Sequence, residues 1–144
     1  MKVLILDVDG VLNNSNTPDR FEGCLGLDED KLILLRNIVE KTACKIVLSS
    51  SWRHYENFKE YLLKQSQLRE QFIGDTEEDY NRYKNRGEEI QAWLDVNKVD
   101  TFVILDDDHL EHLKGFGKNF VQTNEDVGLT KEIAERCIKL LNGE

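Results

Sequence analysis

The sequence predicts an α/β fold in which helices cover both faces of a parallel sheet of about five strands. Two observations support this prediction. Short apolar runs recur along the 144-residue chain, and segments with helical spacing of apolar residues separate them. Several of these runs end directly in acidic or hydroxyl side chains. Because parallel strands need a crossover element between them, the alternation favours helices that connect parallel strands.

The first strand is predicted at Val3–Leu6, a continuous apolar run typical of a parallel strand that is buried on both faces. Asp7 and Asp9 follow this strand with one residue between them. Gly10 comes next and allows a sharp turn that keeps the backbone close to a ligand. The pattern Asp-x-Asp-Gly also occurs in calcium loops and plain turns, so by itself it leaves a polar turn as an alternative.

A polar stretch from Asn13 to Gly26 is predicted to form an irregular flap that is too short for a separate domain. Asp28 is typical of a helix N-cap, and apolar residues recur at helical spacing from there to Lys41. This pattern predicts a helix that returns the chain to the start of a second strand, Lys45–Leu48. Three serines, at positions 49–51, follow that strand directly.

The second half of the chain continues the alternation of helices and strands, and its third long apolar run again ends in acidic residues. The predicted elements are a helix over 55–67, a strand over 71–74, a charged loop over 75–86, a helix over 87–97, a strand over 101–105 that ends in Asp106, Asp107 and Asp108, a short helix that exposes His109 and His112, a strand near 119–122, and a last helix from Leu129 or Thr130 to Leu141.

Reactive side chains are expected to meet at one edge of this sheet. The carboxyl ends of parallel strands share an edge, and ligands of such sheets bind there. A buried strand that ends in three aspartates favours a bound cation, because clustered carboxylates repel one another and raise one another's pKa. Magnesium fits best, as a hard ion that needs few carboxylates. Calcium-loop spacing is absent, since no glutamate is twelfth in a loop that begins at Asp7.

Composition narrows the class of protein. The net charge of −9 works against general affinity for nucleic acid, although it leaves room for a local basic groove. The three cysteines have no CxxC spacing, so reduced packing residues are expected. No apolar run approaches the roughly 18 residues of a membrane span, and the N-terminus lacks a signal-peptide pattern. We therefore expect one cytoplasmic domain over residues 1–144.

The segment Asp7-Val8-Asp9-Gly10-Val11-Leu12 resembles the first motif of the haloacid dehalogenase (HAD) superfamily of phosphotransferases. The hydroxyl residues after the second strand resemble its second motif, and Leu105-Asp106-Asp107 resembles its fourth. The segments at 50–53 and 86–90 are also similar to a small branch grouped with the phosphatase domains of RNA-repair (Swiss Army Knife) proteins. The resemblance covers nearly the whole chain and implies a Rossmann-like, HAD-like fold with a minimal cap.

The resemblance implies roles for the aspartates. Asp7 is expected to be the nucleophile that forms an aspartyl-phosphate. Asp9 is expected to act first as the general acid and then as the base, and it favours phosphate-ester chemistry over carbon–halogen cleavage. A Mg²⁺ site is expected to use Asp106, one carboxylate oxygen of Asp7 and the main-chain carbonyl of Asp9, with Asp107 binding either directly or through water.

The remaining motif positions have alternatives. Ser49 is expected to hydrogen-bond the phosphoryl oxygens, with Ser50 as the alternative. Arg86 is expected to supply the cation that stabilises the transition state, with Lys84 as the alternative. Arg53 could bind the phosphate or the substrate as a planar donor fork, although an arginine at that position is as often only solvated.

These features predict a Mg²⁺-dependent phosphomonoester hydrolase. Its substrate stays open. A site without a large cap suits a polynucleotide end, which the branch resemblance favours and the charge of −9 disfavours. A small-metabolite or nucleotide phosphatase is the alternative. A non-catalytic binding or regulatory module is the alternative from another class, and the complete set of motifs counts against it.

Overall fold

The fold is built on a five-stranded sheet in which all neighbouring strands are parallel. The computed structural model describes residues 1–144. In chain order the strands are β1 (Lys2–Leu6), β2 (Arg20–Phe21), β3 (Cys24–Leu25), β4 (Lys45–Leu48), β5 (Phe72–Asp75), β6 (Thr101–Asp106) and β7 (Phe120–Gln122). The main sheet has the order β5-β4-β1-β6-β7, which confirms the predicted five-stranded parallel sheet.

Four α-helices and two short 3₁₀ helices connect the strands. Asp28 holds the N-cap position of the first helix as predicted, although its side chain makes no capping hydrogen bond. None of the helices is long and apolar enough to cross a lipid bilayer. The helices are α1 (Glu29–Thr42), α2 (Glu56–Ser66), α3 (Arg86–Val96) and α4 (Lys131–Leu141), with 3₁₀ turns at Ser51–His54 and Lys114–Asn119.

The central strand β1 is buried on both faces. Leu4 and Leu6 pack into the larger core cluster, which includes Leu35 of α1 and Leu62 of α2. The alternate residues of β1 face a smaller cluster that includes Ile90 of α3. Because successive side chains of a strand point to opposite faces, helices must cover both sides of the sheet to bury them. The all-apolar sequence of β1 is explained by this double cover.

The predicted irregular flap is in fact a short antiparallel hairpin formed by β2 and β3. Its turn uses two residues with positive φ, Glu22 at 49° and Gly23 at 81°. Phe21 stacks on Tyr61 of α2 with a centroid distance of 4.1 Å and meets Phe58 edge-on at 5.0 Å. The hairpin is thus held by aromatic contacts with a helix distant in sequence, and its own polar sequence did not indicate this.

The prediction of a short helix directly after β6 is wrong. The segment 107–113 bends instead, and the next helical turn starts at Lys114. The Asp108 carboxylate accepts hydrogen bonds from the main-chain amides of Leu110, His112 and Leu113. An aspartate that bonds nearby amides offers the backbone an alternative to a helix, and here that alternative prevails.

Candidate active site

The three strands that end in reactive residues are adjacent, and their ends are in register. Leu6 of β1 pairs with Leu48 of β4 and with Leu105 of β6. Asp7, which follows β1, donates its main-chain N–H to the Leu105 carbonyl at 3.0 Å. Ser49, which follows β4, donates its main-chain N–H to the Leu6 carbonyl at 2.8 Å. The tertiary fold therefore brings the first, second and fourth motifs to one edge of the sheet.

Three carboxylates form a cluster at this edge. Each of Asp7, Asp106 and Asp107 offers an oxygen, and these oxygens all lie within 4.8 Å of one another. The residues of Asp7 and Asp106 are only 5% and 0% exposed, whereas Asp107 is half-buried. Buried carboxylates at this distance repel one another unless positive charge compensates them. The cluster could therefore hold a cation.

Arg86 supplies positive charge to the cluster. Its Nη1 atom donates to Asp106 Oδ2 at 2.8 Å and Oδ1 at 3.0 Å, and it lies 3.5 Å from Asp7 Oδ2. Arg86 is the first residue of α3, and Asn85 caps that helix by accepting from the Glu88 amide. The cap fixes where α3 begins and so places the arginine beside the carboxylates.

Burial dominates the protonation behaviour of the two innermost aspartates. Burial raises the pKa of Asp7 well above its ordinary value, the charge of Asp106 raises it further, and Arg86 opposes both effects. Burial likewise raises the pKa of Asp106 to about 6, against the opposing charge of Arg86. Both shifts mean that ionised carboxylates are unfavourable here without additional positive charge.

The donor set fits a magnesium ion. Mg²⁺ prefers oxygen ligands and uses few carboxylates, and Asp7, Asp106 and Asp107 present three of them together. These residues would hold the ion. The Asp9 carboxylate is exposed and lies outside the cluster, so any part that Asp9 has in metal binding depends on its main-chain carbonyl, as predicted from the resemblance.

Gly10 makes room for one of these carboxylates. Its φ is +81°, and a Cβ atom built on it would lie 2.0 Å from Asp107 Oδ2. The close approach at Gly10 is therefore to Asp107. The Gly10 amide donates to Asn13 Oδ1 at 3.0 Å, so this N–H is already used and is not free to bind the phosphate of a substrate.

We expect Gly10→Ala to weaken Mg²⁺ binding at least tenfold, because the added methyl group must displace the Asp107 carboxylate. A left-handed backbone also costs a non-glycine residue about 1–2 kcal/mol. Isothermal titration with Mg²⁺ and thermal melting would measure the two effects. Gly23→Ala is the matched control, since Gly23 has the same φ of +81° and open space around its Cα. Equal Mg²⁺ affinity in both variants would contradict the assigned role of Gly10.

Asn13 is a site residue that sequence reasoning did not identify, because it was assigned only to the flap. Its fully buried side chain donates to Asp9 Oδ1 and to the Gly26 carbonyl, both at 2.9 Å, and accepts from the Gly10 amide. These bonds hold the Asp9 carboxylate in one direction and tie the first motif to the end of the flap. The only signal in the sequence was an asparagine four residues after Asp9.

The structure distinguishes the two candidate serines. Ser50 Oγ caps the 3₁₀ turn by accepting from the Trp52 amide at 3.2 Å. Ser49 Oγ is buried and has no hydrogen-bond partner in the protein. Thr76, after β5, has a second buried hydroxyl without a partner, and no sequence pattern pointed to it. The geometry favours Ser49 over Ser50 as a donor to a ligand.

Arg53, a candidate to bind the phosphate or the substrate, is held by two glutamates. Its Nη2 atom donates to Glu89 at 3.0 Å and to Glu78 at 3.1 Å, and its Nη1 atom donates to the Ser50 carbonyl at 3.0 Å. The side chain is only 4% exposed. Arg53 thus anchors the charged loop that precedes α3, and its buried Nε atom is the one guanidinium nitrogen without a partner.

Lys84 and Arg86, the two candidates for the third-motif cation, occupy different environments. Both line an open cavity of about 310 Å³ together with Asp107. Only Arg86 contacts the carboxylate cluster, whereas Lys84 is exposed and forms no salt bridge. The geometry therefore favours Arg86.

Comparison with known proteins supports the same type of domain. A family model described as "HAD domain in Swiss Army Knife RNA repair proteins" matches residues 3–134. No curated protein and no solved structure matches the chain significantly. The matched range contains the whole carboxylate cluster and all of the main sheet except Lys2, the first residue of β1. On this match, the chain belongs to the family of HAD domains found in Swiss Army Knife RNA repair proteins.

Proposed function

We propose that this protein is a Mg²⁺-dependent phosphomonoester hydrolase that works through an aspartyl-phosphate. Membership of the family indicates a HAD-type hydrolase in general. The observation that carries the finer proposal is the cluster of Asp7, Asp106 and Asp107 at the carboxyl edge of the sheet, with Arg86 beside it. A nucleophile, its countercharge and a set of oxygen ligands thus lie within one small region.

In the first step an oxygen of Asp7 attacks phosphorus, and the bond between phosphorus and the ester oxygen breaks. Asp9 donates a proton to the leaving alcohol. In the second step Asp9 takes a proton from water, which attacks the aspartyl-phosphate and releases inorganic phosphate and free Asp7. Bound Mg²⁺ would reduce the repulsion between the anionic nucleophile and the anionic substrate.

Three further residues support these steps. Arg86 is close enough to Asp7 to stabilise the charge that develops on the phosphoryl oxygens during transfer. Ser49 offers a buried hydroxyl with no other partner, which could donate to the same oxygens. Asn13 holds the Asp9 carboxylate by a hydrogen bond of 2.9 Å and so positions the proton donor.

The direct test is release of inorganic phosphate from an aryl phosphate and from acetyl phosphate. We expect release with Mg²⁺ and loss of release when a chelator removes the ion. If the protein releases no phosphate from either compound and also binds no Mg²⁺, the hydrolase proposal fails. A non-catalytic module of the same fold would then be the better description.

Addition of Mg²⁺ should raise the melting temperature of the protein. An ion that binds only the folded state at 100 times its Kd stabilises that state by about 2.7 kcal/mol. Differential scanning fluorimetry over a range of Mg²⁺ concentrations would measure the shift. Asp106→Asn should reduce the shift strongly, because Asp106 belongs to the proposed ligand set. An unchanged shift in that variant would place the ion elsewhere.

The two serines provide a matched pair of variants. Ser49→Ala should lower kcat/KM by about 10- to 100-fold, the effect expected for one hydrogen bond to a charged group, without loss of stability, since its hydroxyl has no partner in the protein. Ser50→Ala should instead lower stability by about 1 kcal/mol, because it removes a helix cap. Phosphate-release kinetics and thermal melting would separate these effects, and the reverse pattern would assign the phosphate contact to Ser50.

For the substrate, we propose a phosphorylated nucleic-acid end. The family description names RNA repair proteins, and the short hairpin between β1 and α1 leaves space for a bulky substrate. The net charge of −9 favours the alternative, a nucleotide or small-metabolite phosphatase. A panel of 3′- and 5′-phosphorylated oligonucleotides, nucleotides and sugar phosphates would distinguish them.

A further inference from the structure

An apolar pocket lies on the Asp9 side of the proposed active site. Its volume is about 440 Å³, and the hairpin forms one wall while the segment after β4 forms the other. Asp9 is the only charged residue in the lining. The lining includes Asp9, Cys24, Leu25, Trp52, Tyr55 and Phe58.

Three aromatic side chains form the second wall. Trp52 and Phe58 meet edge-on with a centroid distance of 5.1 Å, and Tyr55 lies 5.8 Å from Phe58. Trp52 is buried, so the base of this wall is held in place by the core. Tyr55 is 57% exposed, although it belongs to the same cluster. An exposed ring beside a fixed aromatic wall is an arrangement on which a planar ligand can stack.

The chemistry directs the leaving group toward this pocket. In an in-line displacement the leaving oxygen departs on the side opposite the nucleophile, Asp7. The general acid must lie within hydrogen-bond reach of that oxygen. Asp9 is the proposed acid and lines the pocket, so the group attached to the leaving oxygen lies next to the aromatic wall.

We infer that this pocket binds the nucleobase of the nucleotide whose phosphate is removed. Bases stack on aromatic side chains with little dependence on sequence. The lining contains no lysine or arginine that could hold a second phosphate, so this pocket suits a base better than the phosphate backbone. The inference rests on the proposed hydrolase function and narrows its substrate to a nucleoside phosphomonoester, either free or at the end of a chain.

The first test compares two substrates that differ only in the base, a nucleoside 5′-monophosphate and ribose 5-phosphate. We expect kcat/KM to favour the nucleotide by about 10- to 100-fold, the range that one stacked base supplies. Tyr55→Ala should remove most of that preference, because it lowers kcat/KM for the nucleotide and leaves kcat/KM for ribose 5-phosphate unchanged. An equal rate for both substrates in the unmodified protein would overturn the inference and leave the hydrolase proposal intact.

Tyr80→Ala is the matched control. Tyr80 is an exposed tyrosine that lines the separate cavity beside Arg86. We expect this variant to keep the preference for the nucleotide. If Tyr80→Ala removes the preference and Tyr55→Ala does not, the base lies in the other cavity and the inference is wrong.

Measurement of kcat/KM also distinguishes free nucleotides from nucleotides at the end of a chain. We expect 3′- or 5′-phosphorylated oligonucleotides to be hydrolysed within about tenfold of the corresponding mononucleotide, with weak dependence on salt, because no lysine or arginine lines the base pocket. An advantage of more than 100-fold for oligonucleotides that Tyr55→Ala does not reduce would show that recognition depends on backbone contacts elsewhere, which contradicts the inference.

Cys24 gives a binding test that does not need turnover. It is exposed and lines the pocket, whereas Cys44 and Cys137 are fully buried, so a thiol reagent should label Cys24 first. In the Asp7→Asn variant with Mg²⁺, a nucleoside monophosphate should slow this labelling at least fivefold more than ribose 5-phosphate does. Equal labelling rates would overturn the base pocket, whereas failure of the hydrolase proposal would appear only as missing phosphate release.

Discussion

Asp7→Asn is expected to reduce phosphate release by at least 10³-fold while the protein stays folded. An amide is a poor nucleophile and cannot form the aspartyl-phosphate, so the double-displacement route is lost. The substitution should not destabilise the protein in the absence of metal. Burial and the neighbouring charge of Asp106 raise the pKa of Asp7, which means that its ionised form is unfavourable in the fold.

Phosphate release at saturating Mg²⁺ and thermal melting in a chelator would test both parts of this prediction. Asp108→Asn is the control, because Asp108 belongs to the same run of aspartates but bonds the amides of the following bend and lies outside the carboxylate cluster. It should keep most of the activity. Residual activity of Asp7→Asn within tenfold of the unmodified protein would show that another residue is the nucleophile.

Arg86→Ala is expected to lower turnover by about 10²- to 10³-fold, because the transferring phosphoryl group loses its stabilising cation. It should also destabilise the metal-free protein by about 1–3 kcal/mol, a range reduced from that of a fully buried ion pair because the side chain is 30% exposed. Mg²⁺ should restore much of the stability, since the ion would replace the lost positive charge. The Mg²⁺-induced rise in melting temperature should therefore be larger in Arg86→Ala than in the unmodified protein.

Two further variants make this prediction specific. Arg86→Lys keeps the charge but replaces the planar guanidinium, whose Nη1 atom contacts both oxygens of Asp106, with a compact ammonium, so we expect an intermediate loss of turnover. Lys84→Ala removes the exposed alternative cation and should have little effect on turnover. A greater loss of turnover in Lys84→Ala than in Arg86→Ala would show that Lys84 is the cation that stabilises the transferring phosphoryl group.

The regular part of the fold was predictable because its signals are local. Strand β1 is apolar at every position from Val3 to Leu6, and both of its faces are buried, so its sequence alone indicated a doubly covered parallel strand. The hairpin of β2 and β3 was not predictable in the same way, because the aromatic contacts of Phe21 come from α2. The bend after β6 depends on hydrogen bonds to Asp108, and these also leave no periodic pattern in the sequence.

The sequence by itself determined the residue types of the candidate site and the edge at which they meet, because each group directly follows a strand and parallel strands end together. Only the tertiary structure gave a reason to favour Ser49 over Ser50 and Arg86 over Lys84. Hydrogen bonds and ion pairs between residues far apart in the chain made these distinctions. Arg86, for example, lies 79 positions after Asp7, and no local pattern encodes a contact over that separation.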